Sequence, residues 1–458
     1  SRPLFTRADT VRSSLIRADA AMGKGGDLGG GQGLRNRATP AKAARGAPTK
    51  KVIRIADRLY DITDFATRHP GGKVIDFYLN QDATDAFTAF HLKSAKATKM
   101  LNTLKTVSED EYNTHIGEDS DAPIVQDFRN MVEKWEESGL FKADYGILAY
   151  RMFEIAMLVV ISWYFFGMDA SVTARLALSS ITIGVAWTRC GWIQHDGGHN
   201  GITESLAVDH AIQAVFEGLV KGGSASWWRN RHNKHHAKCN VQGKDTDLNT
   251  YPLLCWDLDM AKKLPKRFIT VQHLTFFPLL ALYVPVFFFT TKLFMLRKKK
   301  PVEAAITIAH FAIFVSALMM QGGTAPEIVA YFFFGYVVQG LYLGFCFSLS
   351  HFAMPQIKAG EDDQDWVTNA VTTTLNTDPT PVVSWLTGHL NLQIEHHLCP
   401  QMPTHNLVKI KPDVEAMCAK HGLKYSTTTF IEAAKFTVGK LQDVANQRRM
   451  IMEIVESD

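Results

Sequence analysis

Seven histidines fall in three short segments, His195-Asp-Gly-Gly-His199, His232-Asn-Lys-His235-His236 and Gln393-Ile-Glu-His396-His397, each beside a long apolar stretch. Neutral imidazole is a good ligand for iron, copper or zinc. Seven imidazoles exceed what one structural ion requires, so the pattern points to two metal ions sharing one site. Histidines four apart, such as His195 and His199, share a helix face within reach of a common ion. In His232-x-x-His235-His236 the i,i+3 pair does the same, while the adjacent imidazole can turn to a second ion. One histidine beside an apolar run is ordinarily a satisfied interfacial residue; three clusters together are not explained that way. An iron pair fed electrons one at a time can activate oxygen strongly enough to take hydrogen from an unactivated C–H bond. A substrate reaching it from a bilayer would be a lipid chain.

Upstream, Leu59-Tyr-Asp-Ile-Thr-Asp-Phe65 leads into His69-Pro-Gly-Gly72, and Asp85-Ala-Phe-Thr-Ala-Phe-His91 ends in a second histidine 22 positions after the first. That interval lets a helical hairpin face two imidazoles across a flat ring. Two axial histidines make a six-coordinate haem with no open position for oxygen, a centre suited to electron transfer. Pro-Gly-Gly supplies a turn and lets backbone approach the first ligand closely. Residues 51–107 resemble cytochrome b5, and the resemblance implies His69 and His91 as the ligands of a haem b.

The elements that must position these groups are uneven in composition. The 458 residues leave room for two or three domains, with 46% hydrophobic residues and a net charge of +4. Residues 1–50 hold ten Lys or Arg against three Asp, with many Gly, Ala and Ser. That composition cannot bury a core, so a disordered tail is expected there. The tail contains no apolar signal segment, and Met22 is a candidate start. No basic-aromatic pattern supports nucleic-acid binding. The cysteines at 190, 239, 255, 346, 399 and 418 form no C-x-x-C pair, which argues against a disulfide framework.

Five apolar segments follow, over 147–166, 172–194, 276–296, 302–320 and 326–347, each near the roughly twenty residues needed to cross a bilayer. The first carries Arg151 and the second Arg175 and Arg189, side chains that must snorkel or face the bundle. If the three histidine clusters share one site, they must emerge on one membrane face. An odd number of crossings between the second and third would separate them. Segment 276–296 is therefore expected to be re-entrant or interfacial, since Pro278 and Pro285 interrupt it and Arg297-Lys-Lys-Lys300 follows. Four spans remain, with both termini and all clusters in the cytosol, and His351 at the cytosolic end of the last span.

Residues 51–430 resemble a front-end fatty-acyl desaturase: a cytochrome b5 domain fused to a membrane desaturase whose third box begins with Gln. The three boxes match in type, order and position, as do Gly191-Trp-Ile-Gln-His195, Trp227-Trp228 through His236-Ala237, and Gly388-His-Leu-Asn-Leu-Gln393. The resemblance implies an N-terminal α+β haem domain over 51–125. It also implies an all-α membrane desaturase domain over 126–458, with about four transmembrane helices and a cytosolic cap of histidine boxes. It implies a multi-pass enzyme of the endoplasmic reticulum. Such an enzyme inserts a cis double bond into an acyl-CoA or phospholipid-bound chain, between an existing double bond and the carboxyl end. O2 is consumed, and electrons come from NADH through cytochrome b5 reductase and the fused haem to two iron ions.

By this resemblance the metal ligands are His195, His199, His232, His235, His236, His396 and His397, with His351 as the matching eighth. Gln393 stands where other desaturases carry a ligand histidine; it binds iron weakly, acts through water, or only hydrogen-bonds a neighbour. His389 and Asp196 are candidates for a supporting or ligating role, and Asp245 and Asp247 could orient imidazoles. His210, His273 and His310 are expected to be non-ligands. Cys399 stands where relatives usually carry Phe, a difference expected to affect packing. The stretch from Gly388 to Ile410 resembles Δ6 and Δ5 members most, and Δ6 is favoured over Δ5, Δ4 and Δ8. A b5-fused sphingoid-base desaturase would carry the same boxes. An acyl hydroxylase would lack Gln-x-x-His-His. A histidine-rich metal transporter would need ligands inside its spans, and a simple electron carrier would leave the boxes without a use.

Overall fold

The computed structural model describes residues 50–108, 122–251 and 253–457, so the expected tail lies outside the described residues apart from Lys50. The first unit is small. Strand β1 (Val52–Ile55) pairs antiparallel with β2 (Arg58–Asp61), and β2 pairs antiparallel with β3 (Lys105–Val107). All four residues of β1 are buried. Between β2 and β3 the chain forms a short 3-10 turn over Gly72–Tyr78, helix α1 (Thr84–His91) and helix α2 (Ala95–Leu101). The Ser94 side chain caps α2 by accepting from Ala97 N.

The remainder is almost entirely helical. Helix α3 (Pro123–Glu137) leads into α4 (Tyr145–Gly167), whose start is capped by Asp144 accepting from Ile147 N. Helix α5 (Val172–Gly198) returns beside it, capped by Ser171. Helix α6 (Leu206–Gln213) and a π segment over Ala214–Val220 connect to α7 (Ala225–Ala237). Three long helices follow: α8 (Gln272–Arg297), α9 (Pro301–Met320) and α10 (Ala325–Ser348), the last opened by a Thr324–Glu327 capping box. Beyond them lie α11 (Trp366–Thr373), α12 (Pro381–Thr387), α13 (Gln393–Leu398), α14 (Leu407–Lys420) and α15 (Phe430–Ser457).

Helices α4, α8, α9 and α10 are long and apolar enough to cross a membrane. This set differs from the expected one. Helix α8 runs unbroken through Pro278 and Pro285, so these prolines do not interrupt it. Helix α5, with Arg175, Arg189 and the first histidine cluster, is not among the four.

Contacts at the helix ends give their direction. At one end of the bundle, Trp163 Nε1 of α4 donates to Ala317 O of α9 (2.9 Å), and Arg175 of α5 pairs with Glu327 of α10 (2.7 Å). At the other end, Glu303 of α9 accepts from Ser224 Oγ and Ser226 N at the start of α7, the helix bearing the second cluster. Both ends of α8 lie on that histidine side. Gln272 is bonded to Cys255 and Leu441, and Lys298, just past the other end, lies close enough to Lys234 of α7 to repel its charge. Helices α4, α5, α9 and α10 thus run between the two faces, and α8 leaves and returns on one.

The small unit is seated on the histidine face. One buried cluster joins Ile53, Tyr60 and Val74 to Trp366, Ile394 and Leu407. Tyr78 Oη donates to Ala237 O (2.6 Å), the residue after His236. Lys93, two residues past His91, donates to Asn200 O (3.2 Å), the residue after His199. Asp85, whose side chain is only 7% exposed, takes a bidentate pair from Arg129 at 2.8 and 2.9 Å.

Candidate active site

Helix ends bring the three boxes together. The first occupies the last turn of α5, the second the last two turns of α7, and the third most of α13. Gly388 makes the approach of the third possible. It ends α12 with φ +63°, and a Cβ there would collide with the Trp192 ring one turn before His195.

The imidazoles sort into two groups. His195, His199, His232, His236 and His396 place one ring nitrogen each within 4.8 Å of one another. His235, His351, His397 and Cys239 form the second group by the same measure. Nitrogens on opposite sides of one ion, with bonds of about 2.1 Å, stand about 4.2 Å apart, so a small closing movement suffices. Consecutive residues on a helix point about 100° apart. Each His-His doublet therefore serves both groups, His236 and His396 facing one, His235 and His397 the other. The His236 and His397 rings stack at 4.0 Å between the two sets.

Burial sets the protonation. It drives the pKa of His232, His236, His396 and His397 well below the ordinary value, with their neighbouring histidines adding to the effect. These rings are neutral and keep the lone pair a metal needs. His351 is pushed down to about 3, first by burial and then by His235. His235 differs: burial works against its charge, but the Asp245 carboxylate outweighs burial and raises its pKa. Asp245 accepts from His235 Nδ1 (2.9 Å), Asn240 N (2.8 Å) and Asp247 N (2.8 Å), turning His235 Nε2 towards the group. Asp196 does the same for His195 at 3.2 Å and is anchored by Arg151 (2.8 Å) and Thr404 (2.9 Å).

All eight expected ligand histidines thus fall in the two groups. His389 does not. It sits outside both with φ +67°, because Gly388 and His389 form the turn that aims α13, and its surroundings are Arg151, Asp196 and His405. Gln393 Nε2 donates to Leu390 O (2.8 Å), and Gln393 lines the same cavity as His351 without belonging to either histidine group. Asp247 pairs with Arg231 at 2.7 Å. Cys399 is buried in the packed core. Cys239 was not singled out from the sequence, although its i,i+4 spacing from His235 was the available signal. Its Sγ lies 3.4 Å from His351 Nδ1, and burial pushes its thiol far up, so it stands there uncharged. All six cysteines are free.

The two upstream histidines also face each other. His69 Nδ1 lies 3.1 Å from Gly72 O and His91 Nδ1 3.0 Å from Phe87 O, so each donates to a carbonyl and leaves Nε2 free. Their ring centroids are 6.3 Å apart. Two iron–nitrogen bonds of about 2 Å, plus roughly 1 Å from each nitrogen to its ring centre, require about 6 Å. Burial lowers both pKa values, His91 to about 4. A side chain at Gly71 would come within 2.8 Å of the His69 ring, which explains the glycine. The donor set and spacing fit a bis-histidine haem. A Cβ on Gly72 would lie 3.3 Å from Asn230, two residues before His232.

From the histidines a cavity of about 400 Å³ extends between α8 and α10, lined by Trp227, Phe276, Leu280, Phe287, Leu343 and Phe347 among others. An apolar cavity headed by buried histidines, with a small bis-histidine unit docked beside it, is the arrangement of a membrane-associated oxidoreductase acting on an apolar chain.

A family model described as fatty acid desaturase matches residues 171–429, and one described as cytochrome b5-like heme/steroid binding domain matches residues 42–124. Acyl-lipid (8-3)-desaturase of Rebecca salina is 35% identical over 409 residues, covering 87% of this chain and 92% of its own length. Fatty acid desaturase 3 of Homo sapiens is 32% identical over 401 residues, covering 85% and 88%. The fatty acid desaturase 2-like protein FADS2B of Mus musculus is 31% identical, covering 85% and 81%. The chain belongs to the fatty acid desaturase family, as a front-end member with a fused cytochrome b5 domain.

Proposed function

We propose that this protein inserts a cis double bond into polyunsaturated acyl chains on the carboxyl side of an existing double bond. The observation that carries the reading is the pair of buried histidine groups at the head of an apolar cavity of about 400 Å³. Two iron ions held by His195, His199, His232, His236 and His396 and by His235, His351 and His397 would supply oxygen activation, and a haem b on His69 and His91 one-electron delivery. The protein's own contribution is positional. Asp245 and Asp196 fix the orientation of His235 and His195, and the cavity wall excludes water and holds the chain beside the metals. Tyr78 and Lys93 seat the haem unit against the residues that follow the boxes, which keeps electron delivery within one chain.

The further proposals are NADH-cytochrome b5 reductase as the electron donor, the endoplasmic reticulum membrane, and a cytosolic histidine face. The fold supports that orientation, because α8 returns to the face it leaves and Arg297-Lys-Lys-Lys300 sits there. The Gly388–Ile410 stretch supports a Δ6 position. The printed name of the Rebecca salina relative supports an acyl-lipid donor and carries its own (8-3) regiochemistry, the second reading. The test is a fatty-acid profile of yeast expressing the chain and fed single polyunsaturated acids. A new product absent from the His235→Ala strain supports desaturation, and its double-bond position assigns the regiochemistry. No product from any acid, with haem-loaded protein in the membrane, overturns the reading in favour of a sphingoid-base substrate.

A further inference from the structure

The cavity that begins at the histidines carries buried polar groups with nothing to bond. Gln339 of α10 is fully buried in its wall, and neither its amide nitrogen nor its oxygen has a hydrogen-bond partner among the described residues. One turn earlier, Tyr336 lines the same cavity, and its buried hydroxyl, near Gly222, is likewise unpartnered among the described residues. Charge elsewhere in that wall is paired, Glu217 with Lys221 at 2.5 Å, and beside the histidines Asn240 keeps bonds through its amide nitrogen although its Oδ1 has none among the described residues. A buried amide without a partner is costly, so its place in an apolar tunnel calls for a partner brought by the substrate.

The position of the two groups narrows what that partner is. The Tyr336 ring stacks on Trp187 at 4.7 Å, and Trp187 lies eight residues before His195 on α5, about 12 Å along the helix. The polar head of an acyl lipid stays at the watery end, so the chain passes these groups several methylenes beyond the carbon under attack, towards its methyl end. A saturated stretch offers an N–H or O–H nothing. A cis double bond presents a π face that accepts weak hydrogen bonds from both. Its bend also suits a cavity whose wall is set by the close packing of α10 on α8, where a side chain on Gly340 would meet Leu280 O at 2.6 Å.

We propose that Gln339, assisted by Tyr336, is a specificity-determining residue that reads the cis double bond nearest the methyl end of the acyl substrate. The inference rests on the desaturase reading above and adds the residue that selects among its substrates. The experiment uses the full-length chain in yeast fed pairs of acids of equal length: linoleic with α-linolenic, and dihomo-γ-linolenic with eicosatetraenoic. Members of each pair differ only in the double bond nearest the methyl end. The unmodified enzyme is expected to favour the more unsaturated member of the pair it accepts. Gln339→Leu, normalised to haem absorbance in the membrane fraction, should reduce that preference roughly two- to five-fold, the worth of one weak hydrogen bond, while sparing conversion of the less unsaturated member. Tyr336→Phe, which keeps the ring on Trp187, should act in the same direction and serves as the test if Gln339→Leu fails to accumulate. An unchanged ratio, or equal loss on both members, overturns the proposal and leaves Gln339 a structural residue. Absence of products in the unmodified strain is a different failure, that of the desaturase reading itself.

Discussion

Replacing Asp245 by Asn changes one buried atom type and tests how the second histidine group is assembled. Asp245 is 1% exposed and accepts three hydrogen bonds: Oδ2 takes His235 Nδ1 and Asn240 N, and Oδ1 takes Asp247 N. An amide retains one acceptor oxygen. Placed at the Oδ2 position, its NH2 would oppose two donors. Placed at Oδ1 it opposes one, so the side chain settles that way and the Asp247 N–H loses its partner. The stranded donor costs about 1–3 kcal/mol. His235 keeps an acceptor, but a neutral one, and the bond falls from the charge-assisted range to the ordinary one, a loss of about 1 kcal/mol. The imidazole is then free to rotate its Nε2 away from His351 and His397. Loss of such a support ordinarily lowers metal affinity or activity about 10- to 100-fold. The assay is iron per haem in purified membrane protein under graded chelator, alongside desaturation rate. The haem domain supplies the internal count of folded protein, because Asp245 touches neither His69 nor His91. Iron retention and turnover equal to the unmodified enzyme would refute the claim that Asp245 aims His235.

Two other perturbations separate the two cofactor sites. His69→Ala should abolish the haem absorbance and stop desaturation while leaving the iron content near that of the unmodified protein; full-rate desaturation would show that electrons do not pass through the fused domain. Lowering the pH should release haem. Burial depresses the pKa of His69 and of His91, the latter to about 4, so the unfolded unit binds more protons than the folded one below about 6.5. The associated stability is therefore complete above that value and is lost as pH falls towards 4. A Soret titration should be flat above pH of about 6.5 and decline below it, whereas a loss on raising the pH would contradict the sign.

Much of this chemistry was legible in the linear chain. The i,i+4 spacing of His195 and His199, the His-His doublets and the His69–His91 interval name the histidines that the fold brings together, because helix periodicity decides which side chains share a face. The parity argument and the basic run after it assigned 276–296 to one face; α8 is nonetheless one of the four helices long and apolar enough to cross a membrane, and its two prolines are absorbed without a break. A proline in a helix interior costs it one hydrogen bond, but whether the helix ends there is not written in the local sequence.

What the sequence determined by itself was the set of chemical groups and their local grouping along helices. The tertiary structure alone decided how those groups are shared. It split each His-His doublet between two histidine groups, added the Cys239 thiol to one, left His389 outside both, and bonded the Gln393 amide to Leu390 O beside them. It also left the amide of Gln339 without a hydrogen-bond partner among the described residues. The physical reason is common to all five. Coordination, burial and hydrogen-bond satisfaction depend on which atoms approach across elements tens to hundreds of residues apart, and only the packed chain specifies those approaches.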